Sequence, residues 1–218
     1  MTPALETSHA AGAALPFHRH AESYAALVLE GGYQEVSVDG RFACTAGMLM
    51  IHPAWHAHGD EFGCEGAVII NLPAPLADGL RAICVSDPAA LEKLARRNPA
   101  MAAEAAREEA ELCHPVSPAE WLVRLTRLLV NCPETPVDQL ARRCGVSAEH
   151  AARTCKRWFG LGPVQLRKEK RLQIAIALLR DGASPVEVVC AAGFSDQPHL
   201  TRLLKRATGH TPARFPQT

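Results

Sequence analysis

The feature that most constrains this chain is a motif that occurs twice. His150-x-x-Arg153-x-x-Lys156-Arg157-x-x-Gly160-x-x-Pro163 returns at an offset of 49 residues as His199-x-x-Arg202-x-x-Lys205-Arg206-x-x-Gly209-x-x-Pro212. Upstream, Leu140-Ala141-x-x-x-Gly145-x-Ser147 parallels Val188-Val189-x-x-x-Gly193-x-Ser195 at an offset of 48, so the second copy has gained one residue between Ser195 and His199. A unit of about 30 residues cannot bury a core alone, and two copies are too few for a solenoid. Each copy reads as helix, tight turn, helix. Thr135-Pro136-Val137-Asp138 and Ser184-Pro185-Val186-Glu187 predict capping boxes with proline at the first helical position. Gly145 and Gly193 supply the positive φ of a sharp turn, and Ser147 and Ser195 are the expected caps of the second helices. Between the copies, Val164, Leu172, Ala175, Ile176 and Leu179 form a stripe of period 3.6 that predicts one linking helix over residues 163–179. Such a helix spans about 26 Å, of the order of the 34 Å between successive major-groove segments on one face of DNA.

Charge divides the chain in the same way. The totals balance at 23 basic and 23 acidic residues, yet residues 1–132 carry 9 basic and 16 acidic side chains, net −7, whereas residues 133–218 carry 14 and 7, net +7. The basic part has the electrostatic footprint of a nucleic-acid binder. With 48% hydrophobic residues the chain is excluded from the disordered and collagen-like classes. No apolar run reaches about 18 residues and the first 15 residues lack a secretory pattern, so the expectation is a cytoplasmic protein with no membrane partner. The eight cysteines include no C-x-x-C pair and predict reduced, mostly buried thiols.

Residues 136–215 resemble the two-part DNA-binding domain of AraC/XylS-family transcription regulators. Gly193-Phe194-Ser195-Asp196-Gln197-Pro198-His199-Leu200-Thr201-Arg202-Leu203-Leu204-Lys205-Arg206, followed by Gly209-His210-Thr211-Pro212-Ala213, is similar to that family's signature along almost its whole length. Leu200, Leu204 and Cys155 stand where the family usually has phenylalanine. The resemblance implies that the second helix of each copy enters the major groove of promoter DNA. Helical spacing then points Glu149, Ala152, Arg153 and Lys156 from the first, and Gln197, Pro198, Thr201, Arg202 and Lys205 from the second, toward the groove. Arg can fork onto guanine and Gln onto adenine, whereas Lys holds phosphate. Arg153 and Arg202 have an alternative role in ion pairs within each unit, and His150 and His199 read as structural.

The acidic half reads as short strands, 27–29, 35–38 and 67–70, broken at Gly31-Gly32, Asp39-Gly40 and Gly63, which fits an antiparallel barrel or jelly roll. Within it lie His18, His20, His52, His56 and His58. Strand alternation would put His18, His20, Glu22 and Tyr24 on one face, and His56 with His58 on another. Imidazoles plus a carboxylate suit a divalent transition metal, Zn²⁺ foremost. The pattern resembles the cupin fold, whose first motif is H-x-H followed by a glutamate and whose second is G-x5-P-x-G-x-x-H. His18-Arg19-His20 fits the first, and Gly47, Pro53 and His58 the second. The family's glutamate falls near Tyr24 or Ala25, and Trp55 replaces a glycine. The resemblance implies metal ligands His18, His20 and His58, with His56 or Glu22 completing the set; the alternative is a pocket of histidines for an organic ligand.

Residues 89–110 predict a helix with a break at Asn98-Pro99, and Trp121-Leu122-x-x-Leu125-x-x-Leu128-Leu129 a second amphipathic one. Together these readings give an α+β chain: a cupin-like β-barrel sensor over residues 1–85, a helical linker and possible dimerisation region over 86–132, and an all-α double helix-turn-helix domain over 133–218. The expected function is a homodimeric transcription regulator, not an enzyme, whose partners are promoter DNA, RNA polymerase and an effector, either a metal or a small organic molecule. A cupin metalloenzyme tethered to DNA is the minor alternative.

Overall fold

Two long strands organise the N-terminal part of the chain. The computed structural model describes residues 5–74, 79–108 and 118–216, and the chain divides into two compact units, Met1–Ser117 and Pro118–Thr218. Among the described residues the first unit holds one antiparallel seven-stranded sheet, of β1 (Glu6–His9), β2 (Ala14–Arg19), β3 (Tyr24–Ser37), β4 (Gly40–Thr45), β5 (Met48–His52), β6 (Ala57–Pro73) and β7 (Arg81–Cys84). Strands β3 and β6 pair twice over. Their segments 33–37 and 58–62 pair with each other and, on their outer sides, with β4 and β2. Segments 24–28 and 69–73 also pair, flanked by β5 and β1, with β7 beyond β5.

Between these stretches the ladder bulges, with register shifts between Val28 and Glu30 and between Gly31 and Tyr33. Gly31 and Gly66 occupy the crossing with φ of 68° and 69°. A Cβ on Gly31 would stand 2.1 Å from the Gly66 carbonyl oxygen, and one on Gly66 would stand 2.2 Å from that of His9. The glycines predict strand breaks; the structure instead carries β3 through Gly31-Gly32 and β6 through Gly63, because a bulge bends a strand without ending its ladder. Only Asp39-Gly40 ends a strand, as the hairpin that pairs Ser37 with Gly40. The bulge also switches which residues face inward. The cavity of this unit is lined by Tyr24 and Ala26 but then Tyr33 and Glu35 of β3, and by His58, Asp60 and Phe62 but then Ile69 and Asn71 of β6.

The sheet face opposite the cavity is apolar. Ala25, Leu27, Leu49, Ile51, Ile70 and Leu72 form a core with Leu91, Ala95, Ala102 and Ala106 from α1 (Pro88–Arg97) and α2 (Pro99–Glu108). The Asp87 side chain accepts from the Ala90 amide and starts α1, and the break between the helices falls at Asn98 as expected; residues 109 and 110 lie outside the described residues. The expected linker is divided between the units. Helices α1 and α2 pack in the first, whereas α3 (Glu120–Asn131) packs on α4 (Val137–Arg143) and α6 (Pro163–Arg180) in the second. Its stripe of Leu122, Leu125 and Leu129 is fully buried there and serves the core.

The rest of the second unit follows the repeat: α4, α5 (Ala148–Phe159), the linking α6, α7 (Pro185–Ala191) and α8 (Gln197–Thr208). Gly145 and Gly193 take φ of 77° and 70° in the two turns. Cys155, Leu200 and Leu204 are wholly buried. The caps differ between copies. Ser184 and Glu187 form the expected capping box, but α4 starts after Pro136 with no side-chain cap, so Thr135 does not play that part. Ser147 caps α5, whereas Asp196 rather than Ser195 caps α8, accepting from the His199 amide at 2.6 Å. The inserted residue moves the cap one place along. Val164 departs from its predicted stripe and is 54% exposed, while Pro163 and Leu166 are buried at that end of α6. Arg167 donates to the carbonyls of Pro133 and Thr135, tying the entry of the first repeat to the linking helix.

The cysteines depart from expectation. Cys84 is disulfide-bonded, a pairing that depends on distance across the fold and leaves no trace in spacing. Of the six free cysteines among the described residues, Cys44 and Cys155 are buried but Cys64 and Cys190 are exposed. No described helix is long and apolar enough to cross a membrane.

Gly31→Ala should cost about 4 kcal/mol or prevent folding, because the clash is with backbone that cannot yield. Gly12→Ala, at a similar φ of 69° with nothing within 4 Å, should cost only about 1–2 kcal/mol. Denaturant unfolding of the two variants separates the steric from the conformational term.

Candidate functional site

The cavity between the two stretches of sheet has a volume of about 170 Å³. Strand β2 brings His18 to its wall, the following turn His20, and β6 His58; one ligand atom from each lies within 4.8 Å of the others. Ring centroids are 5.0 Å apart for His18 and His20 and 4.4 Å for His18 and His58. The Pro16 carbonyl accepts from His18 Nδ1 at 2.9 Å, which fixes the tautomer and leaves Nε2 with its lone pair. His58 is buried, and burial with its histidine neighbours pushes its pKa well below the ordinary value, so it is a neutral donor. Its Nδ1 is buried without a hydrogen-bond partner among the described residues. Three imidazoles converging in this way fit a divalent transition metal.

The other expected ligands stand elsewhere. Glu22 is exposed on the turn after His20 and is not part of this group. His56 turns its Nε2 to Asp39 Oδ2 at 2.9 Å. Tyr24, one of the two positions near which the cupin glutamate is expected, has its hydroxyl 3.2 Å from His58 Nε2. Trp55 sits at a φ of 64°, the only positive value among described non-glycine residues, which accounts for the glycine usual at this place in the motif. Two hydrogen bonds hold it against the first motif: the Trp55 amide donates to the His20 carbonyl at 2.7 Å, and the Trp55 carbonyl accepts from the Arg19 guanidinium at 2.8 Å.

Two wall residues, Glu35 and Asp60, carried no sequence signal of their own. His52 lies 2.8 Å from Glu35 Oε2, and both are buried. Tyr24 stacks on His52 with centroids 4.5 Å apart. Desolvation pushes the Glu35 carboxyl up to about 7, and desolvation plus the charge of Glu35 raises that of Asp60 to about 8. His52 is pushed well below its ordinary value, chiefly by burial. Only the place of Glu35 and Asp60 opposite known motif residues, in strands of uncertain register, could have marked them.

In the second unit, α5 and α8 each turn an apolar side inward: Ala151, Cys155 and Phe159 from one, Leu200, Leu204 and Thr208 from the other. Glu149, Ala152, Arg153 and Lys156 are exposed on α5; Gln197, Pro198, Arg202 and Lys205 are exposed on α8, with Thr201 half-buried. Lys156 donates to the Gly160 carbonyl at the end of its own helix. The carboxyl of Glu149 is held below its usual range by hydrogen bonds at the helix start, with Arg153 adding to the effect. His199 is half-buried, bonded to the Ser195 hydroxyl at 3.1 Å and edge-on to Phe194, whereas His150 is exposed with its ring 5.1 Å from Trp121.

The buried acids and histidines of the cavity titrate in opposite directions. Asp60 and Glu35 hold protons to higher pH in the fold than the 3.8 and 4.5 of the free groups, so the stability they contribute at low pH is lost as pH rises through about 7 to 8. His52 and His58 stay neutral in the fold and take up protons on unfolding, so their contribution is lost as pH falls below about 6.5. In metal-free protein the unfolding midpoint should therefore decline between about pH 6.5 and 9, and Asp60→Asn should flatten that decline. Thermal scans of both proteins across this range check it.

The family comparison falls on the second unit. A helix-turn-helix domain family matches residues 117–218, nearly the span of that unit. The chain is 33% identical over 81 residues to the probable transcription factor PqrA of Proteus vulgaris, covering 36% of this chain and 66% of that one. It is 28% identical over 102 residues to the bifunctional transcriptional activator/DNA repair enzyme AdaA of Bacillus subtilis, covering 45% of this chain and 48% of that one. The match thus spans about half of the one relative and two thirds of the other. ToxT of Vibrio cholerae aligns over 97% of this chain and 96% of its own at 8% identity, with a TM-score of 0.45. Residues 117–218 thus form an AraC-type helix-turn-helix domain, of the kind carried by these transcription regulators.

Proposed function

We propose that this protein is a transcription regulator whose cupin-like domain responds to a divalent transition metal held by His18, His20 and His58, Zn²⁺ foremost. The observation that carries the reading is the convergence of three imidazoles on one cavity wall, one tautomer fixed by Pro16 and one ring kept neutral by burial. When bound, the metal supplies a Lewis-acidic centre with an open coordination position. Tyr24, hydrogen-bonded to His58, orients that ring, and the Trp55 loop, tied to Arg19 and His20, holds the other motif in place. An effector switches the protein only by binding its DNA-competent arrangement more or less tightly than the other. A second reading, an organic effector, is favoured by the extent of the cavity beyond the triad to Glu35 and Asp60.

For the DNA-binding domain, the reading assigns base contacts chiefly to the second recognition helix. Gln197 and Arg202 there have the donor geometry for adenine and guanine, while Glu149 and Ala152 make the first helix the weaker reader.

Elemental analysis of protein purified without a histidine tag should find about one metal per chain, absent in His58→Ala, and chelation should change promoter affinity. No metal in the wild type would overturn the metal reading and leave the organic one. Arg202→Ala should weaken specific promoter binding by about 1–3 kcal/mol, whereas Lys205→Ala should weaken all sequences alike and lower the salt slope by about one. An unchanged footprint with Arg202→Ala would remove α8 from the recognition role.

A further inference from the structure

The inward rungs between β3 and β6 run in three successive pairs: Tyr33 opposite Phe62, Glu35 opposite Asp60, and Ser37 opposite His58. The middle rung sets two carboxyl groups directly across from each other on antiparallel neighbours, where Cβ atoms stand about 4.5–5.5 Å apart and repulsion opposes ionising both. Both line the cavity, at 0% and 6% exposure. His52 meets one oxygen of Glu35. Glu35 Oε1 and Asp60 Oδ1 have no hydrogen-bond partner among the described residues. Buried acceptors without donors are rare in folded proteins, because their desolvation is then uncompensated.

Among the described residues no lysine or arginine lines this cavity, so they supply the rung with no permanently charged donor. The adjoining rung supplies an apolar and aromatic wall. Tyr33 and Phe62 have centroids 5.4 Å apart, and His9 stacks on Phe62 at 4.1 Å. Such faces favour a cation. A second metal fits less well, since the only set of three ligand atoms close enough to share an ion among the described residues is His18, His20 and His58. The volume of about 170 Å³ also exceeds the roughly 30 Å³ share of one water.

Resting on the reading of this cavity as the effector site, we propose that the Glu35–Asp60 rung is a subsite for a small organic cation, a primary ammonium that donates one hydrogen bond to Glu35 Oε1 and another to Asp60 Oδ1. Its carbon chain lies along Leu15, Tyr33 and Phe62, and the histidine triad stands on the same cavity wall. The rung then selects by charge: an ammonium offsets the cost of ionising the two buried acids, which a neutral alcohol does not, and a carboxylate adds to that cost.

The test is calorimetric titration of the full chain at neutral pH with n-butylammonium, 1-butanol and n-butyrate. Wild type should bind butylammonium at least about tenfold more tightly than butanol, with no binding of butyrate. Glu35→Gln and Asp60→Asn should each lose about tenfold for butylammonium, and Glu61→Gln, on the exposed side of β6, should lose nothing. Butylammonium binding no tighter than butanol, or undiminished in both cavity variants, overturns the proposal. If a cavity variant does not fold, the comparison of the three probes on wild type decides alone. Zn²⁺ titration of wild type and His58→Ala separates the two readings. Zn²⁺ binding lost in His58→Ala, without preference for butylammonium, overturns the ammonium subsite and leaves the metal reading standing. A preference for butylammonium without Zn²⁺ binding supports the subsite and overturns the metal reading.

Discussion

The close approach of β3 and β6 at Gly31 and Gly66 governs what the N-terminal domain can be. Each glycine abuts a backbone carbonyl at a distance no Cβ could occupy, and the bulges there let two continuous strands serve both stretches of the sheet. One face of the second stretch is then free to pack on α1 and α2, while the other looks into the cavity. The shift of inward parity follows from the same bulges. Without them, residues of one parity would face inward throughout, and Tyr33 and Glu35 would leave the wall that Tyr24 and Ala26 begin.

That wall is chemically unusual because it is both polar and buried. Five histidines, two carboxyls and two tyrosines line a small space, and burial drives its deepest groups toward their neutral forms: the acids upward, His52 and His58 downward. Neutral imidazole is the form that ligates a metal. Buried carboxyls with unpartnered oxygens hold electrostatic capacity that a bound cation would use. The same environment thus serves the triad and the acidic rung in different ways.

In the DNA-binding domain, symmetry between the repeats is close but local. The single inserted residue transfers the cap of α8 from Ser195 to Asp196, and the two first helices begin differently because Pro136 rather than Thr135 precedes α4. The linking helix compensates by holding the entry of the first repeat through Arg167. The exposed sides of α5 and α8 remain polar and rich in cations, as their period of 3.6 demands.

The sequence by itself determined whatever rests on local chemistry and spacing: the two helix-turn-helix units with their positive-φ glycines, the linking helix, the break at Asn98, and the trio His18, His20 and His58. These depend on helix periodicity, on caps and turns, and on two short motifs whose residues lie close in the chain. Tertiary structure alone decided the rest. Whether Gly31 and Gly63 end a strand or bend it depends on what the neighbouring strand does. That Tyr24 meets His58, that Glu35 faces Asp60 and pairs with His52, and that His56 turns away to Asp39 depend on register between strands tens of residues apart. The disulfide of Cys84 and the division of the linker between two cores belong to the same class, since pairing at a distance follows from the whole packing and is encoded in no single stretch of chain.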